Sequence, residues 1–158
     1  MGWRIISLVV VGALTVSGVA IGQDRTKREL TGSVKLAPIS VSGELPALNV
    51  RVAGTLRARP GGRGAIVGFG RYTGSPAPNV YTFAGTFTAF QAHGSLTGRL
   101  TGRATVEPST NAWTIRGTVT VSRGTERYRG ATGRVRFTGS AASATSVATL
   151  QLRGSLTY

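Results

Sequence analysis

The chain contains no cysteine, so disulfides, thiol chemistry and a lipid-modified N-terminal cysteine are all excluded. Acids are almost as scarce: Asp24, Glu29, Glu44, Glu107 and Glu126 are the full set, and His93 is the sole histidine. Metal clusters and most acid–base machinery therefore lack raw material, and no metal or cofactor is expected. Helical spacing is sustained nowhere, and beyond Gly22 no apolar run is long enough for a membrane-spanning helix.

What the chain has in place of acids is arginine. Lys and Arg number 19 against 5 acids, a formal net charge of +14, and only Lys27 and Lys35 of the basic residues are lysine. A folded surface of this composition carries a strong positive field and attracts polyanions, so an anionic cell-surface component or another polyanion is an expected partner.

The first residues, MGWRIISLVVVGALTVSGVAIGQ, combine one positive charge at Arg4 with an uncharged apolar run from Ile5 and small residues at Gly18, Ala20 and Gly22. That is the pattern of a secretory signal peptide, with cleavage after Ala20 or Gly22. The alternative is an uncleaved anchor, for which the run is at the short limit. Residues 1–20 are accordingly read as a signal peptide, 21–28 as a flexible basic N-terminus and 29–158 as one domain. The expected location is secreted or periplasmic.

From Arg28 onward apolar and polar residues alternate with a period of two, the mark of strands with one buried face. In LNVRVAGTLRA, Leu48, Val50, Val52, Gly54, Leu56 and Ala58 share a face opposite Asn49, Arg51, Thr55 and Arg57. LTGRLTGRATV, WTIRGTVTV and ATLQLRGSLTY repeat the split. Turn clusters at RPGGRG (59–64), TGSPAPN (73–79), EPSTN (107–111) and GSAASATS (139–146) separate the runs. The aromatic segment from Val80 to His93 slips in parity, since Tyr81, Phe83 and Phe87 share a face that Phe90 does not, and a bulge near Thr88 or Ala89 is expected. The predicted fold class is all-β: an antiparallel barrel, or a sandwich, of about eight strands. Glycines at 54, 98, 102, 117 and 154 on the apolar face suit a narrow, strongly curved barrel with little room inside.

The stretch GTERYRGATG (124–133) invites a phosphate-loop reading, but the residues after it, GRVRFTG, alternate as a strand, so the helix that would hold the anion is missing. A glycine-assisted turn back into the sheet is expected instead. Arg123, Arg127 and Arg129 cluster around Tyr128 there, without the repeated aromatics of a base-stacking platform. The same residues carry a resemblance. SRGTERYRGATGRVRFTG resembles the GGTGRFAGATG signature of small secreted bacterial β-barrel proteins, a group similar to the allene oxide cyclase and dirigent barrels. Gly124, Thr125, Arg127, Tyr128, Gly130, Ala131, Thr132 and Gly133 keep the pattern, whereas Glu126 stands where that signature has its central glycine. The resemblance implies a barrel of about eight strands with the motif as a tight strand pair. It transfers no catalytic residue, because none of the cyclase's can be matched here.

Two sets of candidate binding residues follow. Trp113, Phe137, Tyr81, Phe83 and Phe87 are able to line a barrel interior that takes a small apolar ligand, or to form plain core. Arg99, Arg103, Arg116, Arg134 and Arg136, with Arg51, Arg57 and Arg153, lie opposite the apolar face and form an anion-binding exterior or a solubilising one. His93 has no acid or second ligand type near it, and Glu107 and Glu126 form an acid–base pair only if the fold opposes them across a barrel mouth. The expected function is a cationic, non-catalytic binding or structural module. An isomerase or cyclase working in the barrel interior is the first alternative. An outer-membrane barrel with the faces inverted, leucines to lipid and arginines to the lumen, is the second.

Overall fold

In the computed structural model the described residues are 25–158, so the leader, its cleavage and its alternative role as an anchor lie outside them. Eight strands follow in chain order: β1 (Lys27–Ser42), β2 (Asn49–Arg59), β3 (Gly62–Ala77), β4 (Val80–Gln91), β5 (Gly94–Val106), β6 (Trp113–Gly124), β7 (Thr132–Ala141) and β8 (Ala148–Thr157). Each pairs antiparallel with the next, and β8 returns to β1 to close a barrel. Closure leaves no strand edge unpaired. The barrel starts earlier than the domain boundary at residue 29, because Lys27 and Arg28 pair with Thr157 and Leu156.

The alternation sorts the two faces as elementary solvation requires. Leu30, Val34, Leu56, Val121, Val135, Leu150 and Leu156 are buried inside, and no polar or charged residue is fully buried among the described residues. Arg51, Arg57, Arg99, Arg103, Arg116, Arg134, Arg136 and Arg153 are all exposed. A guanidinium facing inward would have to shed its water with no acid on these faces to pair with. The inverted arrangement, with leucines outward and arginines in the lumen, is therefore not the one adopted.

Register shifts occur where the chain cannot keep strict pairing. In β1 the shift lies between Pro38 and Ser40; Pro38 has no N–H for the ladder, and the extra residue, Ile39, is 65% exposed. The bulge expected near Thr88 or Ala89 is absent. β4 pairs with β5 without interruption from Val80 to Gln91, so Phe90 simply points outward and is 47% exposed. A single exposed aromatic is a tolerable cost, and the parity slip in the sequence was that one residue. The shifts in this region lie in β3, between Tyr72 and Gly74 and between Gly74 and Ala77.

Inward glycines shape the interior. Phe83 stands opposite Gly102 and Phe137 opposite Gly117 in the ladder. A Cβ on Gly102 would lie 2.5 Å from Phe83 Cζ, so the ring lies over bare backbone on the neighbouring strand. Rings laid against the wall do not fill the axis. The expectation of little interior room is thus corrected: a cavity of about 210 Å³ remains along the barrel.

Candidate functional site

The two ends of the barrel are built differently. At one end stand the β2–β3, β4–β5 and β6–β7 connections, and the last of these is the GTERYRGATG stretch. It forms a single 3-10 turn, Glu126–Tyr128, between strands. Tyr128 is swung inward to 2% exposure, Ala131 to 0%, and the Tyr128 ring meets Tyr158 edge-on at 5.1 Å. Arg28 lies over the Tyr158 ring, 5.6 Å from its centroid. The stretch also ties down the β4–β5 turn. The Thr125 N–H donates to the Ser95 carbonyl at 3.0 Å, the Ser95 N–H to Thr125 Oγ1 at 3.0 Å, and the Arg127 N–H to the His93 carbonyl at 3.2 Å. The motif is a stopper for this end of the barrel, with its arginines left in water.

The other end carries the β1–β2, β3–β4, β5–β6 and β7–β8 connections. Here Trp113 is buried, stacked on Tyr81 with centroids 5.8 Å apart, and Tyr72 meets Trp113 edge-on at 6.1 Å and Phe83 at 5.8 Å. Burial pushes the Tyr72 hydroxyl up to about 12, since phenolate would have to form away from water. Ser143 and Ser146 border the cavity at this end and hold their own loop, the Ser143 N–H donating to Ser146 Oγ at 2.8 Å.

The cavity runs between these ends. Its wall is aliphatic and aromatic, with Val52, Ile66, Leu100, Val119 and Leu152 between Phe83, Phe87, Trp113 and Phe137. Polar side chains enter only at its limits: Tyr72, Ser143 and Ser146 toward the open end, Gln91 at the plugged end. The Gln91 Nε2 group is buried with no hydrogen-bond partner, shielded from the chamber and packed toward Gly61 of the β2–β3 turn. Among the described residues no carboxylate or imidazole reaches the wall.

Of the five aromatics expected to line the interior, Trp113, Phe137, Phe83 and Phe87 border the cavity and Tyr81 stands behind Trp113. Tyr72 and Gln91 were missed. Both were signalled by parity, since Tyr72 continues the inward series Ile66, Gly68, Gly70 and Gln91 continues Phe83, Phe87, Ala89. Glu107 and Glu126 do not face each other: Glu107 sits in the β5–β6 loop at the open end, where its carboxylate accepts from Ser109 Oγ at 3.1 Å, and Glu126 lies in the stopper at the opposite end. His93 is exposed in the β4–β5 turn. Comparison with known proteins finds no matching family model and no matching curated protein.

Proposed function

We propose that this protein is a non-catalytic, extracytoplasmic binding module whose barrel interior holds a small, uncharged, largely apolar ligand. The observation that carries the reading is the cavity of about 210 Å³, walled by apolar side chains with polar ones only at its limits. Apolar cavities of about 150 Å³ stay dry and admit benzene-sized guests. Charged ligands are disfavoured, since nothing in the wall would compensate their desolvation.

An isomerase or cyclase in the same chamber has less support. Proton transfer there would fall to the Tyr72 hydroxyl, whose raised pKa makes it a poor acid and leaves no base beside it.

The test is titration with the neutral dye N-phenyl-1-naphthylamine, followed by its emission. Saturable enhancement is expected. Val119→Phe, which extends a ring into the chamber, should weaken binding by about tenfold or more, equivalent to about 1.4 kcal/mol. Unchanged affinity in Val119→Phe, with the fold intact by circular dichroism, would defeat the reading.

A further inference from the structure

The barrel's exterior is not uniform. No strand from β2 to β8 contains an acid; β2 and β3 contribute Arg51, Arg57, Arg59, Arg63 and Arg71, and β5, β6, β7 and β8 contribute Arg99, Arg103, Arg116, Arg123, Arg134, Arg136 and Arg153 with no apolar side chain among their outward positions. The register lays their outward positions side by side. One cross-strand row reads Arg103, Arg116, Thr138, Gln151; the next reads Thr101, Thr118, Arg136, Arg153; the third reads Arg99, Thr120, Arg134, Ser155. Every position in this block is a guanidinium, a hydroxyl or an amide. Every one donates hydrogen bonds, and the guanidiniums accept none.

Two pairs are set in direct opposition, Arg103 with Arg116 and Arg136 with Arg153. Side chains so placed have Cβ atoms about 5 Å apart, and like charges there repel. The fold supplies no counter-charge on these strands. An anion lying between each pair would relieve both, and the two pairs are offset by two strands and one residue pair, on the order of 10 Å.

We infer that the β5–β8 face is a docking surface for a linear anionic polysaccharide, bearing sulfate or uronate groups, with one anion bridging Arg103 and Arg116 and a second bridging Arg136 and Arg153. Repeated anions on one chain match repeated cationic pairs better than a single small ion does. Sugar hydroxyls find partners in Thr101, Thr118, Thr120, Thr138, Gln151 and Ser155. No aromatic lies in the block, so it offers no platform on which nucleobases would stack. No apolar side chain lies there either, so nothing on this face would enter a bilayer. The opposite side of the barrel differs: β3 shows Val67 and Phe69 to solvent, 43% and 41% exposed.

The experiment compares binding of dextran sulfate by the full chain with binding by two charge-matched variants. Arg136→Gln/Arg153→Gln removes one pair in the block; Arg57→Gln/Arg63→Gln removes an opposed pair at the β2–β3 turn. The inference expects at least a tenfold loss and a shallower salt dependence for the first, and less than a threefold loss for the second. Equal losses would reduce the effect to net charge and overturn it. So would tighter binding to single-stranded DNA, or to phosphatidylglycerol vesicles, than to dextran sulfate at equal charge concentration. Thermal unfolding keeps the test interpretable, because removing a repelling pair should leave the midpoint unchanged or higher. Dye binding in the chamber should be unaffected in both variants, which separates this inference from the interior one.

Discussion

The two ends of the barrel use the same materials, tyrosines and short connections, to opposite effect. At the plugged end Tyr128 comes from a connection, folds inward to 2% exposure and rests on Tyr158. At the open end Tyr72 comes from a strand, so its ring is part of the wall and only half-buried, leaving the axis clear. A wall residue narrows a barrel, whereas a loop residue turned inward closes it. The loop that does so is held by backbone hydrogen bonds to the β4–β5 turn and the start of β5. The open end has backbone ties of the same kind, the Tyr72 N–H donating to the Leu48 carbonyl at 2.8 Å and the Val106 N–H to the Asn79 carbonyl at 2.8 Å, so the ends differ in which side chains turn inward.

The comparison is broken most severely by removing the stopper. Tyr128→Ala should destabilise the protein by about 3 kcal/mol, the usual cost of emptying a buried aromatic site, and should open the plugged end. Urea unfolding measures the first effect, and faster dye exchange measures the second. A loss below about 1 kcal/mol would mean that the ring contributes little to closing the barrel.

Backbone strain gives a smaller effect of opposite sign. Glu126 holds φ 50, the left-handed region that costs a side chain about 1–2 kcal/mol and that glycine enters freely. Glu126→Gly should stabilise the stopper by about 0.5 kcal/mol after the extra chain entropy of glycine is offset. A lower unfolding midpoint would show that the Glu126 side chain contributes more than its backbone costs.

The smallest change at neutral pH belongs to the open end. Tyr72→Phe should alter stability little at pH 7, since no hydrogen bond fixes its hydroxyl in the wall. The difference emerges in alkali. A tyrosine held near 12 when folded but titrating near 10 when unfolded contributes stability that is complete below pH 10 and lost between pH 10 and about 12. The wild type should therefore lose stability over that window more steeply than Tyr72→Phe. Parallel pH profiles would mean that the Tyr72 hydroxyl is fully hydrated. Tyr128 is raised in the same direction by burial first and then by the nearby Tyr158, so it adds to the alkaline loss in both proteins and cancels in their difference.

Much of the fold is legible in the chain because a strand with one dry face needs only a period of two. Rows such as Leu96, Gly98, Leu100, Gly102 and Ala104 against Thr97, Arg99, Thr101 and Arg103 leave one assignment of inside and outside, since guanidiniums without acids cannot be buried. The turn clusters at 59–64, 73–79, 107–111 and 139–146 mark four of the seven connections for the same local reason, although β3 runs on to Ala77. Parity also misled: Phe90 suggested a bulge in β4, and the ladder shows a straight strand with one exposed ring.

The candidate site was legible in part. That Trp113, Phe83, Phe87 and Phe137 face inward is a matter of alternation; whether they fill the axis or line a chamber is not. The answer depends on Phe83 lying over Gly102 and Phe137 over Gly117, which are cross-strand neighbours far apart in the chain. Likewise, the pairing of Arg136 with Arg153 and of Arg103 with Arg116 comes from register, where one residue's slip would separate each pair. The sequence by itself thus determined the strands, their dry face and the sign of the surface, because those depend on each residue's own affinity for water. Only the tertiary structure decided the chamber, its stopper and the paired arginines, because those depend on which distant residues the closed ladder sets side by side.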